Sequence, residues 1–232
     1  MLGLVSVVIS TYNRFDDLVR AIQSVRDQTY KHIEIIVVND CSTQEEYSQS
    51  LGDDILRIDL PTSTKSMFGF PCPGYVRTVG IKRATGKYVA FLDDDDVWFP
   101  NKLELQLEAL NTSGCKMSTT DAYWDFGLYD STKKYRLFYS EIFFNEIKSI
   151  HRTHNSKLLD NGFPAIWTRD IVEPHNPCMT SSVIVEKELL DRIGYMKFVP
   201  IGKEDWDCWK NILTHTNSVF IAKPLVYYTR RA

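Results

Sequence analysis

Gly86-Lys87-Tyr88-Val89-Ala90-Phe91-Leu92-Asp93-Asp94-Asp95-Asp96-Val97-Trp98 decides how the rest of the chain is read. Gly86 is a residue that can end a preceding helix in the left-handed conformation. Five apolar residues follow, Tyr88 through Leu92. A short apolar run bounded by turn residues is a strand buried on both faces, as in a parallel sheet. Its carboxyl end then carries four carboxylates in succession, a density of like charge that calls for a cation. Ligands of open α/β sheets sit at that end of the strands, and hard divalent cations take carboxylate oxygens. One reading is therefore a metal presented to a phosphate-bearing ligand. The other is a solvated acidic turn ahead of the helix that Pro100 opens, where acids suit the helix N-terminus.

Toward the N-terminus, residues 5–10 (Val5-Ser6-Val7-Val8-Ile9-Ser10) form a β-branched run too short for a helix. Asn13 is a good N-cap for a helix whose apolar face is Phe15, Leu18, Ile22 and Val25, with Asp16 and Asp17 in its first turn. Residues 32–39 are a second buried strand, ending at Asn39-Asp40. Ser42 with Glu45 has the spacing of a capping box. Strand, helix, strand, helix is the signature of a parallel sheet with right-handed crossovers. Asp40 and Asp93 then lie on one edge of that sheet. A carboxylate there can accept hydrogen bonds from a base or ribose, or it can simply cap a turn. Residues 55–60 are expected as a third strand and 61–73, rich in Pro and Gly, as a loop. Residues 74–85 read as a helix carrying Arg77, whose fork suits either a phosphate or the acidic cluster. There is no Gly-x-Gly-x-x-Gly turn and no Gly-x-x-x-x-Gly-Lys-Ser/Thr loop, which weighs against dehydrogenases and P-loop NTPases.

Composition bounds the alternatives. The chain has 232 residues, 44% hydrophobic and 25% charged, with a formal net charge of -3. That is ordinary for one α/β domain and speaks against a nucleic-acid partner. No apolar run reaches the roughly 20 residues that a bilayer span needs. The first residues lack a signal peptide's basic stretch. Five cysteines, scattered and without a Cys-x-x-Cys pair, suit reduced thiols, so a cytoplasmic location is expected.

Three segments taken together resemble family 2 glycosyltransferases of the GT-A fold: Ser6-Val7-Val8-Ile9-Ser10-Thr11-Tyr12-Asn13-Arg14, Ile35-Ile36-Val37-Val38-Asn39-Asp40-Cys41-Ser42, and Gly80 through Asp96. Glu204-Asp205-Trp206-Asp207-Cys208-Trp209 resembles the family's acceptor-side Glu-Asp motif. The resemblance implies a single GT-A (Rossmann-like) α/β domain over residues 1–232, with a mostly parallel central sheet flanked by helices. Residues 1–112 would be the nucleotide-sugar half and 113–232 a smaller, mixed acceptor half. It implies that Thr11, Tyr12 and Arg14 flank the nucleotide and that Asp40 holds the base, usually uracil. Asp93-x-Asp95 becomes the Asp-x-Asp motif that binds Mn²⁺ or Mg²⁺ with the diphosphate, and Asp94 is counted with the donor-binding residues. Where the family commonly has Ala-Arg-Asn this chain has Val76-Arg77-Thr78, so Arg77 carries over and Thr78 does not.

That implied chemistry suits the residue types. A nucleoside diphosphate leaves easily only if its growing charge is neutralised, which a bridging divalent cation does. The acceptor hydroxyl needs a general base, and by resemblance Asp205 is that base, with Glu204 beside it to bind acceptor or orient it. The expected partners are a nucleotide-diphospho-sugar, UDP-linked, and a saccharide or other hydroxyl acceptor. The alternatives are a nucleotidyltransferase, which would need glycines after the first strand, and a non-catalytic nucleotide-sugar-binding module. Further on, residues 102–111 read as a helix and 115–126 as strands, while 129–176 show no clear pattern. His151-x-x-His154 and His175 read as exposed histidines rather than ligands. Residues 178–185 are expected as a strand, 186–193 as a helix ended by Gly194, 203–213 as another helix, and 219–222 and 225–228 as two closing strands. Arg230 and Arg231 are either a tail or a basic segment over the diphosphate.

Overall fold

The apolar run is the strand β4 (Tyr88–Asp93) at the middle of the sheet. The computed structural model describes residues 2–200 and 203–231. To one side of β4 lie β1 (Val5–Thr11), β2 (Ile33–Asn39) and β3 (Ile55–Asp59), all parallel. To the other lie β9 (Ile184–Glu186), antiparallel to β4, then β6 (Met117–Phe126) and β10 (Ser218–Arg230), parallel to each other, and β5 (Val97–Trp98). Two short strands, β7 (Arg136–Leu137) and β8 (Ile166–Trp167), pair with β6 and β10. The order β3-β2-β1-β4-β9-β6-β10-β5 makes one continuous mixed sheet whose first half is wholly parallel.

Side chains alternate across a strand, and both faces are covered. Val8, Ile36 and Phe91 join one core with Trp167 and Trp209; Val7, Ile9, Val37, Ala90 and Leu92 join the other with Leu18, Ile22, Leu103 and Leu107. This two-sided burial is why β1, β2 and β4 read as unbroken apolar runs. The helices supplying the cover include α1 (Phe15–Arg26), α3 (Pro73–Arg83), α4 (Lys102–Ser113) and α8 (Glu204–Ile212). Between β3 and α3 runs a short helix, α2 (Thr64–Phe68), in what was expected to be plain loop; Ser63 caps it by accepting from Ser66 N. The unpatterned span holds α5 (Glu141–Thr153), capped by Ser140, and α6 (Arg169–Val172). The last helix before α8 is α7 (Lys187–Ile193), ended by left-handed Gly194 as expected.

Several local expectations are corrected. Gly86 is not a left-handed cap; α3 ends at Ala84 in extended backbone. A Cβ on Gly86 would lie 2.6 Å from both Leu4 O and Ser6 Oγ, so the residue is there for close approach of backbone to backbone. Gly86→Ala is therefore expected to cost about 1–3 kcal/mol, the range for overpacking, read as a lowered urea midpoint; an unchanged midpoint would show that β1 yields freely. Asn13 does not cap α1: it sits at φ 51°, and its Oδ1 accepts from Thr43 N at 2.7 Å. Ser42 caps no helix, because only a 3₁₀ turn (Glu45–Ser48) follows, and its hydroxyl is taken by Asn13 N and Asn39 Oδ1. Of residues 178–185 only Ile184 and Val185 are strand, in β9; Thr180–Ser182 form a 3₁₀ turn. The two closing strands are one strand, β10, whose register slips around Pro224. Proline lacks the N–H a ladder needs, so the sequence pattern breaks where the strand only bulges. His151 is buried, not exposed: its ring nitrogens meet Ser156 Oγ and Ile171 O.

Candidate active site

The carboxyl ends of β1, β2 and β4 open into a cavity of about 500 Å³. It is lined by Thr11, Tyr12 and Arg14 after β1, Asp40 after β2, Asp93, Asp94 and Asp95 after β4, Arg77 on α3, Glu204 on α8, and Tyr228 and Thr229 on β10. The parallel register explains the convergence: Ser10 lies opposite Asp93, and Thr11 opposite Asn39. All but one of the sequence-singled residues share this cavity. Asp205 is not among its lining residues.

Three of the four carboxylates are paired with arginines and the fourth is held by neutral hydrogen-bond donors. Asp93 pairs with Arg77 at 2.6 Å. Asp94 and Asp95 share the Arg14 guanidinium, each at 2.9 Å. Asp95 also receives Arg231, which reaches Asp17 as well. Asp96 turns inward, where its carboxylate accepts from Ser181 Oγ at 2.5 Å and Thr229 N at 2.9 Å. Burial pushes Asp96 well above the usual carboxylate range, with Asp93 and Asp95 adding to it. Burial likewise raises Asp94 to about 6; Arg14 opposes this and Asp95 reinforces it. For Arg77 burial works against the charge, but Asp93 and then Glu204 outweigh it and hold the guanidinium above its ordinary value.

The cluster is thus neither a bare acidic turn nor free carboxylates. Asp93 and Asp95 keep 30% and 14% of their side-chain surface exposed and offer hard oxygen donors to the cavity. Among the described residues no three His, Cys, Asp or Glu side chains are grouped to hold a metal by themselves. Magnesium-type cations are commonly held by one or two carboxylates, the remaining positions going to phosphate oxygens and water. The donor set fits that pattern and does not fit an all-protein metal cage.

Asp40 is engaged by α2: Oδ1 accepts from Thr64 N at 2.7 Å and Oδ2 from Thr64 Oγ1 at 2.6 Å. Asp40 thus caps the turn into α2, and each of its oxygens retains a second lone pair. Thr11 Oγ1 hydrogen-bonds Tyr47 OH, which also accepts from Arg14 N. Glu204 is buried: Oε1 pairs with Arg77 at 3.1 Å and Oε2 accepts from Lys203 N. Asp205 is half-buried. Its Oδ2 accepts from Thr180 Oγ1 at 3.0 Å and Asn176 Nδ2 at 3.2 Å, and its Oδ1 from Trp206 N. Tyr47, Thr64 and Asn176 were not singled out by sequence, because a single Tyr, Thr or Asn in a loop carries no spacing signal. Asp17 and Arg231 come together from opposite ends of the chain, which no local pattern reveals.

The glycosyl transferase family 2 model matches residues 6–170. The chain belongs to that family. It is 37% identical over 117 residues to the putative teichuronic acid biosynthesis glycosyltransferase TuaG of Bacillus subtilis, an overlap covering 50% of this chain and 46% of that protein. Over 122 residues it is 33% identical to the UDP-Glc:alpha-D-GlcNAc-diphosphoundecaprenol beta-1,3-glucosyltransferase WfaP of Escherichia coli, covering 52% of this chain and 46% of the other. The matched stretch therefore spans under half of either relative. Among solved structures, S. aureus TarS 1-349 in complex with UDP-GlcNAc superimposes with a TM-score of 0.66 at 19% identity, covering 99% of this chain and 59% of that one. The GT-A architecture is thereby shown. No helix among the described residues is long and apolar enough to cross a membrane.

Proposed function

We propose that the chain is the donor-binding and catalytic unit of an inverting glycosyltransferase. It moves a sugar from a nucleoside-diphosphate donor, UDP-linked, to an acceptor hydroxyl, with Mn²⁺ or Mg²⁺ assisting. The observation that carries this reading is the convergence of Thr11, Tyr12, Asp40 and Asp93–Asp95 in one cavity at the carboxyl ends of three parallel strands. The likeness to a UDP-GlcNAc-bound fold and to a UDP-glucose enzyme supports a UDP-linked donor. The five free cysteines support a reducing, cytoplasmic setting.

Asp40 and Thr11 line the end of the cavity suited to a base and ribose, and the half-exposed Tyr12 ring can stack there. Asp93 and Asp95 would hold the divalent cation, which as a Lewis acid neutralises the departing diphosphate. Arg14, already beside Asp94 and Asp95, adds a fixed positive charge at that point. Arg77 acts as a positioning residue, because its fork is committed to Asp93 and Glu204. Asp205 accepts the proton of the attacking hydroxyl, its carboxylate oriented by Thr180 and Asn176. A single displacement from the face opposite the diphosphate inverts the anomeric centre.

Asp95→Ala tests the donor half of this reading. Calorimetric titration with UDP should show binding to the wild type that Mn²⁺ strengthens, and no Mn²⁺-dependent binding to the variant. UDP affinity that is equal with and without Mn²⁺ in the wild type would remove the cation from the mechanism. A panel of nucleotide sugars, assayed for Mn²⁺-dependent release of nucleotide, then identifies the donor.

A further inference from the structure

The strand β10 carries the cavity outward. Tyr228 lines it, and residues two apart on a strand share a face, so Arg230 continues the surface that Tyr228 begins. The paired strands supply the rest. Tyr228 is in register with Trp124 and Arg230 with Phe126 on β6, and Trp124 faces Arg136 on β7. The contacts agree with the register: the Arg230 guanidinium lies 5.2 Å from the Trp124 ring centre and 5.9 Å from that of Phe126. The indole thus has the Arg230 guanidinium near its ring and Arg136 beside it across the β6–β7 ladder, on a ledge next to the cavity. Neither arginine has a carboxylate partner. Among the described residues Arg136, Arg230 and the distant Arg83 are the arginines without an ion pair. In a chain of net charge -3, where the arginines nearest the cavity are matched to acids, two unmatched guanidiniums on one exposed aromatic face are a site of surplus positive charge. A guanidinium stacked on an aromatic ring is held in place while its N–H groups stay available to an anion.

We infer that this ledge, formed by Trp124, Phe126, Arg136 and Arg230, is an acceptor subsite for a sugar bearing an anionic group, phosphate or carboxylate. The ring face would pack against the sugar and the two forks would take the anion. The inference deepens the glycosyltransferase reading and rests on it, since it names the class of acceptor that the same cavity would serve.

The test uses the whole chain saturated with UDP and Mn²⁺, so that the donor cavity is filled. The Trp124 indole N–H resonance, assigned by its loss in Trp124→Phe, is followed while glucose 1-phosphate, glucuronic acid or glucose is added. The first two separate phosphate from carboxylate, and glucose controls for uncharged sugar. At least one anionic sugar should shift the resonance saturably and glucose should not. Arg136→Gln and Arg230→Gln should each weaken that binding about tenfold, the loss of one charge-assisted contact, and Arg83→Gln should leave it unchanged. Equal response to glucose, no response to either anion, or retained affinity in both arginine variants would overturn the subsite. UDP-induced shifts at Tyr12 and Arg14 are recorded in the same spectra. If they are present while Trp124 is silent, the subsite fails and the donor reading stands; if they are absent, it is the donor reading that fails.

Discussion

Arg77→Met is expected to destabilise the protein by about 3–5 kcal/mol, the cost of breaking a buried ion pair by removing one partner. Arg77 joins two acids from distant elements, Asp93 at the end of β4 and Glu204 at the start of α8. Its side chain is 8% exposed and that of Glu204 is 4% exposed. Removing the guanidinium takes an ion pair from the buried Glu204 carboxylate. Methionine keeps the aliphatic stem but not the guanidinium, so the loss combines the stranded charge with the space left behind. Urea unfolding monitored by tryptophan fluorescence gives the number. Arg77→Met combined with Glu204→Gln should recover part of it, because one of the two stranded charges is then gone. A loss below about 1 kcal/mol would mean that solvent reaches the pair and that the site is far softer than its burial indicates.

The strands that build this site were legible for one reason: they are buried on both faces, so β1, β2 and β4 appear as apolar runs with acids at their ends. The same property places Asp40 and Asp93–Asp95 on one edge of the sheet from sequence alone, and the cavity contains them. Legibility stops where tertiary contacts replace local pattern. Gly86 has the look of a helix stop, but its lack of a Cβ is needed by Leu4 and Ser6 of the neighbouring chain segment. His151 read as exposed, yet its ring nitrogen meets Ile171 O, 20 residues away. Pro224 split β10 in the sequence, although the ladder to β6 resumes beyond it. Asp96 read as the last of four similar acids. Only the fold distinguishes it, by turning it from the cavity onto Ser181 and Thr229, and so joining the acidic turn to the segment below it and to the closing strand.

Asp205→Asn should lower sugar transfer about 10²–10⁴-fold, the usual contribution of a positioned general base, while UDP binding stays as in the wild type. Two acids stand side by side at the start of α8, and the fold gives them different surroundings. Glu204 faces the donor cavity but is buried, with Oε1 committed to Arg77 and Oε2 to Lys203 N. Asp205 lies outside that cavity's lining and is half-buried. It leans on Thr180 and Asn176, neutral donors that fix the carboxylate without cancelling its charge. A base must be reached by the acceptor and not sealed beneath the donor, and of the two Asp205 meets that condition. Glu204→Gln should behave differently: it weakens the tie between α8 and Arg77, so stability and UDP affinity should fall together with transfer. Single-turnover transfer assays alongside UDP titrations separate the two patterns. Normal transfer by Asp205→Asn would remove Asp205 as base. If, in addition, Glu204→Gln lost transfer while keeping UDP affinity and stability, the role would pass to Glu204, and Arg77 would become the group that sets its geometry.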